Sequence, residues 1–215
     1  NILYLYSNNG KLFWKKQLKE KIIGKISQVD LYKNKRLQMA FRTKNRFIIL
    51  DRNGKIVKPF DIKIDGDSEA LPLSVFDYEN NKNYRFLLAQ KKNLIMLNSK
   101  GKRVKGFKYK KLNENLTFPP KHIRIKGKDF IVLKSKDKLR ILNRRGESAL
   151  KIDYKISFSN NPVWKYLNTF TTSDKQGNLI QIDTKGNIIK SPENWSENHM
   201  ICLLYTSDAA DDCRC

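Results

Sequence analysis

The chain has 215 residues, with 44 Lys and Arg against 21 Asp and Glu, a formal charge of +23. Hydrophobic residues make up 40% of it, close to the globular norm, which excludes a wholly disordered chain. No apolar run reaches the roughly 18–20 residues of a membrane-spanning helix.

The chain opens at Asn1 inside an apolar alternation and reads as an internal piece of a longer protein. The first element is Ile2-Leu3-Tyr4-Leu5-Tyr6, a polar turn through Gly10, and Leu12-Phe13-Trp14. The same unit returns as Phe47–Leu50 with Gly54, Leu94–Leu97 with Gly101, Leu139–Leu142 with Gly146, and Leu179–Ile182 with Gly186. The glycine spacings are 44, 47, 45 and 40 residues. A period in the forties marks four-stranded propeller blades or helical arrays. Period-2 runs of Ile, Leu, Tyr, Phe and Val favour strands, and no window holds a helical apolar stripe. In Asp51-Arg52-Asn53-Gly54 the glycine supplies a positive φ and the aspartate bonds its own backbone, a hairpin turn. Asn98, Asn143 and Asp183 stand in the same place in later copies.

Asp30–Phe60 aligns with Asp77–Phe107 without a gap. Between the glycine hairpins lies a second hairpin, such as Val75–Asp77 with Tyr84–Leu88, or His122–Ile125 with Phe130–Leu133. Two hairpins make one blade. The expected fold is all-β: about four four-stranded antiparallel blades over residues 1–200, incomplete at both ends, followed by a tail over 201–215. A blade buries its faces only against its neighbours, so residues 1–200 alone are expected to be marginal or to aggregate.

Residues Leu3–Trp14, a strand, a turn, Gly10-Lys11, a short apolar stretch and a tryptophan, resemble the repeat of bacterial pyrroloquinoline-quinone-type propellers, with WD40-like and other propellers as alternatives. Later copies place Lys58, Lys105 and Leu150 where Trp14 stands. The resemblance implies a ring of blades that binds partners through loops at one face or through a central channel. Repeats of this type without cofactor residues resemble outer-membrane assembly propellers, which implies a periplasmic or cell-envelope location. A quinone enzyme of the superfamily implies a calcium-bound cofactor and a vicinal disulfide, and residues 1–201 hold no cysteine.

All three cysteines, Cys202, Cys213 and Cys215, fall in the tail. Residues Cys202–Asp211 resemble the in-frame translation of a transposase adapter used in sequencing libraries, so the tail reads as read-through; the alternative is a genuine acidic, cysteine-bearing tail. Removing it raises the charge of the body to +25, because Arg214 is outweighed by Asp208, Asp211 and Asp212.

Catalytic, cofactor and metal sites are all read as none. Asp61–Glu69 is the main acidic cluster, with Asp65, Asp67 and Glu69 alternating around Gly66, but it lacks a full calcium loop and reads as a solvated connection. Asp77–Asn83 faintly resembles the calcium turn of integrin-type propellers, yet Tyr84 and Arg85 stand where the last ligand belongs. His122 and His199 are the only histidines, and neither completes a catalytic set. Residues 91–145 hold 19 Lys or Arg against Glu114, Asp129 and Asp137. The partner-binding candidates are Lys91, Lys92, Lys102, Arg103, Lys105, Lys108, Lys110, Lys111, Arg144 and Arg145, a patch suited to a polyanion or nucleic acid. Lys outnumbers Arg three to one, whereas phosphate forks favour Arg, and Lys, Asn and Ile all have AT-rich codons. The reading is therefore a non-catalytic scaffold for a protein or ligand partner, ahead of a polyanion-binding module and a cofactor-bearing oxidoreductase.

Overall fold

The computed structural model describes residues 1–64, 70–90, 92–152 and 154–201. They form sixteen strands in five antiparallel sheets, each pairing neighbours in sequence. Sheet 1 is the hairpin β1 (Ile2–Tyr6) and β2 (Leu12–Gln17). Sheet 2 is β3 (Ile22–Val29), β4 (Gln38–Thr43), β5 (Arg46–Leu50) and β6 (Ile56–Lys63). Sheet 3 is β7 (Ser74–Phe76), β8 (Arg85–Gln90) and β9 (Asn93–Asn98), and sheet 4 is β10 (Lys121–Ile125), β11 (Lys128–Lys134) and β12 (Leu139–Leu142). Sheet 5 is β13 (Trp164–Tyr166), β14 (Thr169–Ser173), β15 (Asn178–Ile182) and β16 (Ile188–Pro192).

Both strands of each glycine hairpin were predicted in every copy. Sheets 1, 2 and 5 have them. In sheets 3 and 4 the last strand is reduced to isolated bridges, Leu97 with Arg103, Asn93 with Lys111, and Leu142 with Ser148. The cause in sheet 3 is an insertion. Five residues from Asn93 to Leu97 face nine from Arg103 to Lys111. The surplus turns back on itself, with the Phe107 amide donating to the Val104 carbonyl.

Strands inside the array are apolar on both sides because both sides are covered. On β5, Phe47 and Ile49 enter a core with Phe60, Phe86 and Leu88, while Ile48 and Leu50 enter another with Leu18 and Trp14. Two further cores lie between sheets 3 and 4 and between sheets 4 and 5. Phe47, Phe60 and Phe86 meet at centroid distances of 4.9–5.7 Å, a spacing that favours tilted and edge-on aromatic packing.

Successive antiparallel strands send the first and third turns of each sheet to one end. We call that end the turn face. The middle turns and the links between sheets occupy the opposite end. Each third turn carries the repeated glycine, and the segment before it covers Gly54, Gly101 and Gly146. A Cβ on Gly54 would lie 3.1 Å from the Trp14 ring, and one on Gly146 would lie 2.7 Å from Phe107. Both glycines have φ near +74°, so bare backbone is needed twice over. The tryptophan missing from later copies is thus replaced by neighbouring residues: Pro59 covers Gly101, and Phe107 covers Gly146.

Candidate interaction face

The first turns of sheets 2 and 3 are built alike. Asp30 accepts the amides of Asn34 and Lys35, and Asp77 accepts those of Asn81 and Lys82. Each carboxylate closes its own turn, which allows positive φ at Lys33, Lys35, Asn80 and Lys82. These turns are then tied across sheets. The Lys82 ammonium lies 2.7 Å from Asp30, the Lys33 ammonium donates to Asn83, and the Tyr84 hydroxyl accepts the Asp30 amide. Lys82, followed by the two turn amides, holds the Asp30 carboxyl below its ordinary value. In the outer turns, the Trp14 indole donates to the Arg52 carbonyl at 2.8 Å, and the Lys108 amide donates to that of Arg145.

Between sheets 3 and 4 the tie is an ionic cluster. Asp129, almost fully buried, faces His122 at 2.7 Å and accepts from both Nε and Nη2 of Arg144. Arg144 Nη1 reaches Glu79 at 2.8 Å, and the guanidinium lies 4.8 Å over the Tyr78 ring. Arg124 donates to the Tyr78 carbonyl at 2.7 Å. Bonded to the Asp129 and Glu79 carboxylates, Arg144 is held above its ordinary pKa despite partial burial. Burial pushes the Tyr78 hydroxyl up, and no partner meets it among the described residues.

The predicted basic patch divides. Lys102, Arg103, Lys105, Lys110 and Lys111 are exposed along the irregular outer segment of sheet 3, with Lys92 nearby. Among the described residues none of these forms an ion pair. Lys108 pairs with Glu147 at 2.5 Å. Arg144 stands in the cluster above, and Arg145 is exposed on the turn beside it. Lys91 lies outside the described residues, as do Asp65, Asp67 and Glu69 of the acidic stretch and the tail from Cys202. Asp61 is on β6 and pairs with Arg46.

Sequence reasoning did not find two buried cations at the end opposite the turn face. Arg42 donates to the carbonyls of Leu71 and Ala89 and to Gln90 of sheet 3. Lys134, 3% exposed, donates to the carbonyls of Ser159 and Asn161 and to the Thr172 hydroxyl, and lies against the Phe118 and Phe158 rings. Burial pushes Arg42 down to about 10 and Lys134 down to about 8. Both cations reach into the following sheet. Nothing local in the sequence distinguishes them from solvated charges.

His199 closes another network. Its Nδ1 faces the Ser196 carbonyl, so that nitrogen carries the hydrogen and Nε2 accepts from the buried Ser173 hydroxyl at 2.8 Å. Ser159 and Asn161 complete it. Among the described residues no three His, Cys, Asp or Glu side chains converge on a metal position.

No protein-family model matches the sequence, and no curated protein matches it. Solved structures do resemble it. BBS1N, crystallised in complex with ARL6DN, aligns with a TM-score of 0.55 at 17% identity, covering 89% of this chain and 61% of that one. The computationally designed Ika8 protein aligns with a TM-score of 0.62 at 10% identity, covering 92% and 57%. BamB from Moraxella catarrhalis aligns with a TM-score of 0.54 at 13% identity, covering 87% and 57%. The likeness is one of fold: the five sheets are an array of β-propeller blades. The chain spans less than two thirds of each of these neighbours.

Proposed function

We propose that the chain is a non-catalytic β-propeller scaffold that binds a protein partner through its turn face. The observation that carries this reading is the cross-bonding of that face. Turns from successive sheets are joined by Lys82–Asp30, Lys33–Asn83, Arg144–Glu79 and Trp14–Arg52 contacts. They form one pre-organised surface, which reduces the ordering cost of association. BBS1N, a neighbour of the same fold, was crystallised with ARL6DN bound, which is in keeping with such use. Within the propeller class we place the repeat with the pyrroloquinoline-quinone-like and WD40-like superfamily, on the docking of Trp14 over Gly54. From that resemblance we place the protein in the bacterial cell envelope, as a scaffold ahead of an oxidoreductase.

A second reading rests on a separate observation, the exposed row of Lys102, Arg103, Lys105, Lys110 and Lys111 on the outer edge of sheet 3, without an ion pair among the described residues. It makes the chain a polyanion binder. A photo-crosslinking side chain placed at Arg52 or Lys33 should capture a protein partner, with yield insensitive to 0.1–0.3 M salt on the order used to screen surface charge. If the chain instead holds heparin or DNA with an affinity that falls steeply with salt, and captures no protein, the polyanion reading replaces the scaffold.

A further inference from the structure

A cleft opens on the turn face at the seam between sheets 4 and 5, with a volume of about 750 Å³. It lies where sheet 4 lacks a regular fourth strand. After the Leu142–Ser148 bridge the chain leaves the sheet, and Ala149, Leu150 and Ile152 pack against the core between sheets 4 and 5. Its accessible apolar lining is Ala149 and Leu150, half-buried, with Ile125 and Phe130 buried behind them in the core. The rim is cationic: Lys126 and Lys128 flank the first turn, and Arg144 and Arg145 stand on the third.

The charge at this rim is not balanced locally. Its two carboxylates are already engaged, Asp129 by His122 and Arg144, and Glu147 by Lys108. Arg144 is itself occupied. Lys126, Lys128 and Arg145 remain exposed and without an ion pair among the described residues. A cleft of this kind has two requirements: negative charge at the mouth and an apolar group within it. A phosphate backbone meets only the first. A peptide with acidic residues around a large apolar side chain meets both.

We propose that the seam between sheets 4 and 5 is a docking site for an acidic peptide segment that anchors an aromatic or aliphatic side chain on Ala149 and Leu150. This rests on the scaffold reading and names the surface and the partner chemistry. Backbone turns on both sides are fixed, Lys126 and Gly127 by positive φ and Arg145 through its carbonyl to Lys108, so the mouth is formed before the partner arrives.

The test uses a fluorescein-labelled pentapeptide, phenylalanine flanked by two glutamates on each side, followed by fluorescence anisotropy with the full chain. Replacing its phenylalanine by alanine should weaken binding at least fivefold. The triple reversal Lys126→Glu, Lys128→Glu, Arg145→Glu should weaken it at least tenfold. The outer-edge reversal Lys102→Glu, Lys105→Glu, Lys110→Glu should change it less than twofold. Ala149→Trp, which fills the apolar part of the cleft and keeps every charge, should also abolish binding, and it decides the matter if the triple variant fails to fold. Equal loss from the two reversals, or equal binding of the alanine peptide, overturns the proposed site while leaving a scaffold possible elsewhere. Absence of peptide binding together with salt-sensitive heparin binding overturns both readings.

Discussion

At the scale of single residues, the fold depends on a few positions where one chemistry alone fits. Gly146 is the most constrained of the repeated turn glycines. An added Cβ would meet Phe107 at 2.7 Å and the Tyr109 amide nitrogen at 2.8 Å, at φ +74°. The ring could shift but the backbone cannot follow cheaply. Gly146→Ala should therefore destabilise the chain by about 2–4 kcal/mol, from left-handed strain plus a steric clash, read as a lowered denaturant midpoint. Lys134 gives a different signature. Its folded pKa, about 8, lies below the roughly 10.4 of an exposed lysine. Between those values the unfolded chain holds a proton that the folded chain has released, so stability rises with pH through that window. The expected slope is at most about 1.4 kcal/mol per pH unit. It should appear as the difference between the wild-type chain and Lys134→Met in urea titrations from pH 7.5 to 10. Parallel curves would show that Lys134 stays protonated in the fold.

At the scale of elements, what the sequence makes legible is what repeats locally. The glycine turns and the alternating strands around them were predictable because each turn's chemistry lies within about five residues: Asp51 accepts the amides of Asn53 and Lys55, and Asn143 accepts those of Arg145 and Glu147. Asp77 likewise closes the turn Asp77–Asn83 on its own backbone, accepting the amides of Asn81 and Lys82. What was not legible depends on partners far along the chain. Arg144 reaches Glu79 across 65 positions, and Lys134 reaches Thr172 across 38. No local pattern marks either. The outer segment of sheet 3 failed as a predicted strand for a countable reason, four residues more than its partner strand can pair. The patch inferred from charge density held residues with different fates: Lys108 and Arg144 are consumed by carboxylates, whereas Lys102 and Lys105 face solvent. Charge density in sequence cannot tell these apart, because ion pairing is set by which sheet the neighbouring turn belongs to.

At the scale of the whole molecule, the sheets define interfaces that repeat, and the first sheet presents one of them to solvent. By the glycine register, Tyr4 and Tyr6 stand where Ile48 and Leu50 stand in sheet 2. Ile48 and Leu50 are 8% and 0% exposed, whereas Tyr4 and Tyr6 are 45% and 54% exposed, with Ile2 and Phe13 also open. A contiguous apolar face of this kind favours association. The charge of +23 opposes it, since like-charged chains repel over about 10 Å at 0.1 M salt but only a few ångströms near 1 M. The two effects make opposite predictions for added salt. If apolar contact governs, the 215-residue chain should self-associate more as salt rises, seen as a growing sedimentation coefficient. Tyr4→Lys with Tyr6→Lys should hold it monomeric at every salt concentration. That pair should leave thermal stability nearly unchanged, because substitutions outside packed interfaces shift stability by about 0.5 kcal/mol or less. Leu50→Lys, at the register-equivalent but buried position, should instead unfold the chain. A wild-type chain that remains monomeric near 1 M salt would show that the exposed tyrosines are too few, or too well solvated, to act as an interface.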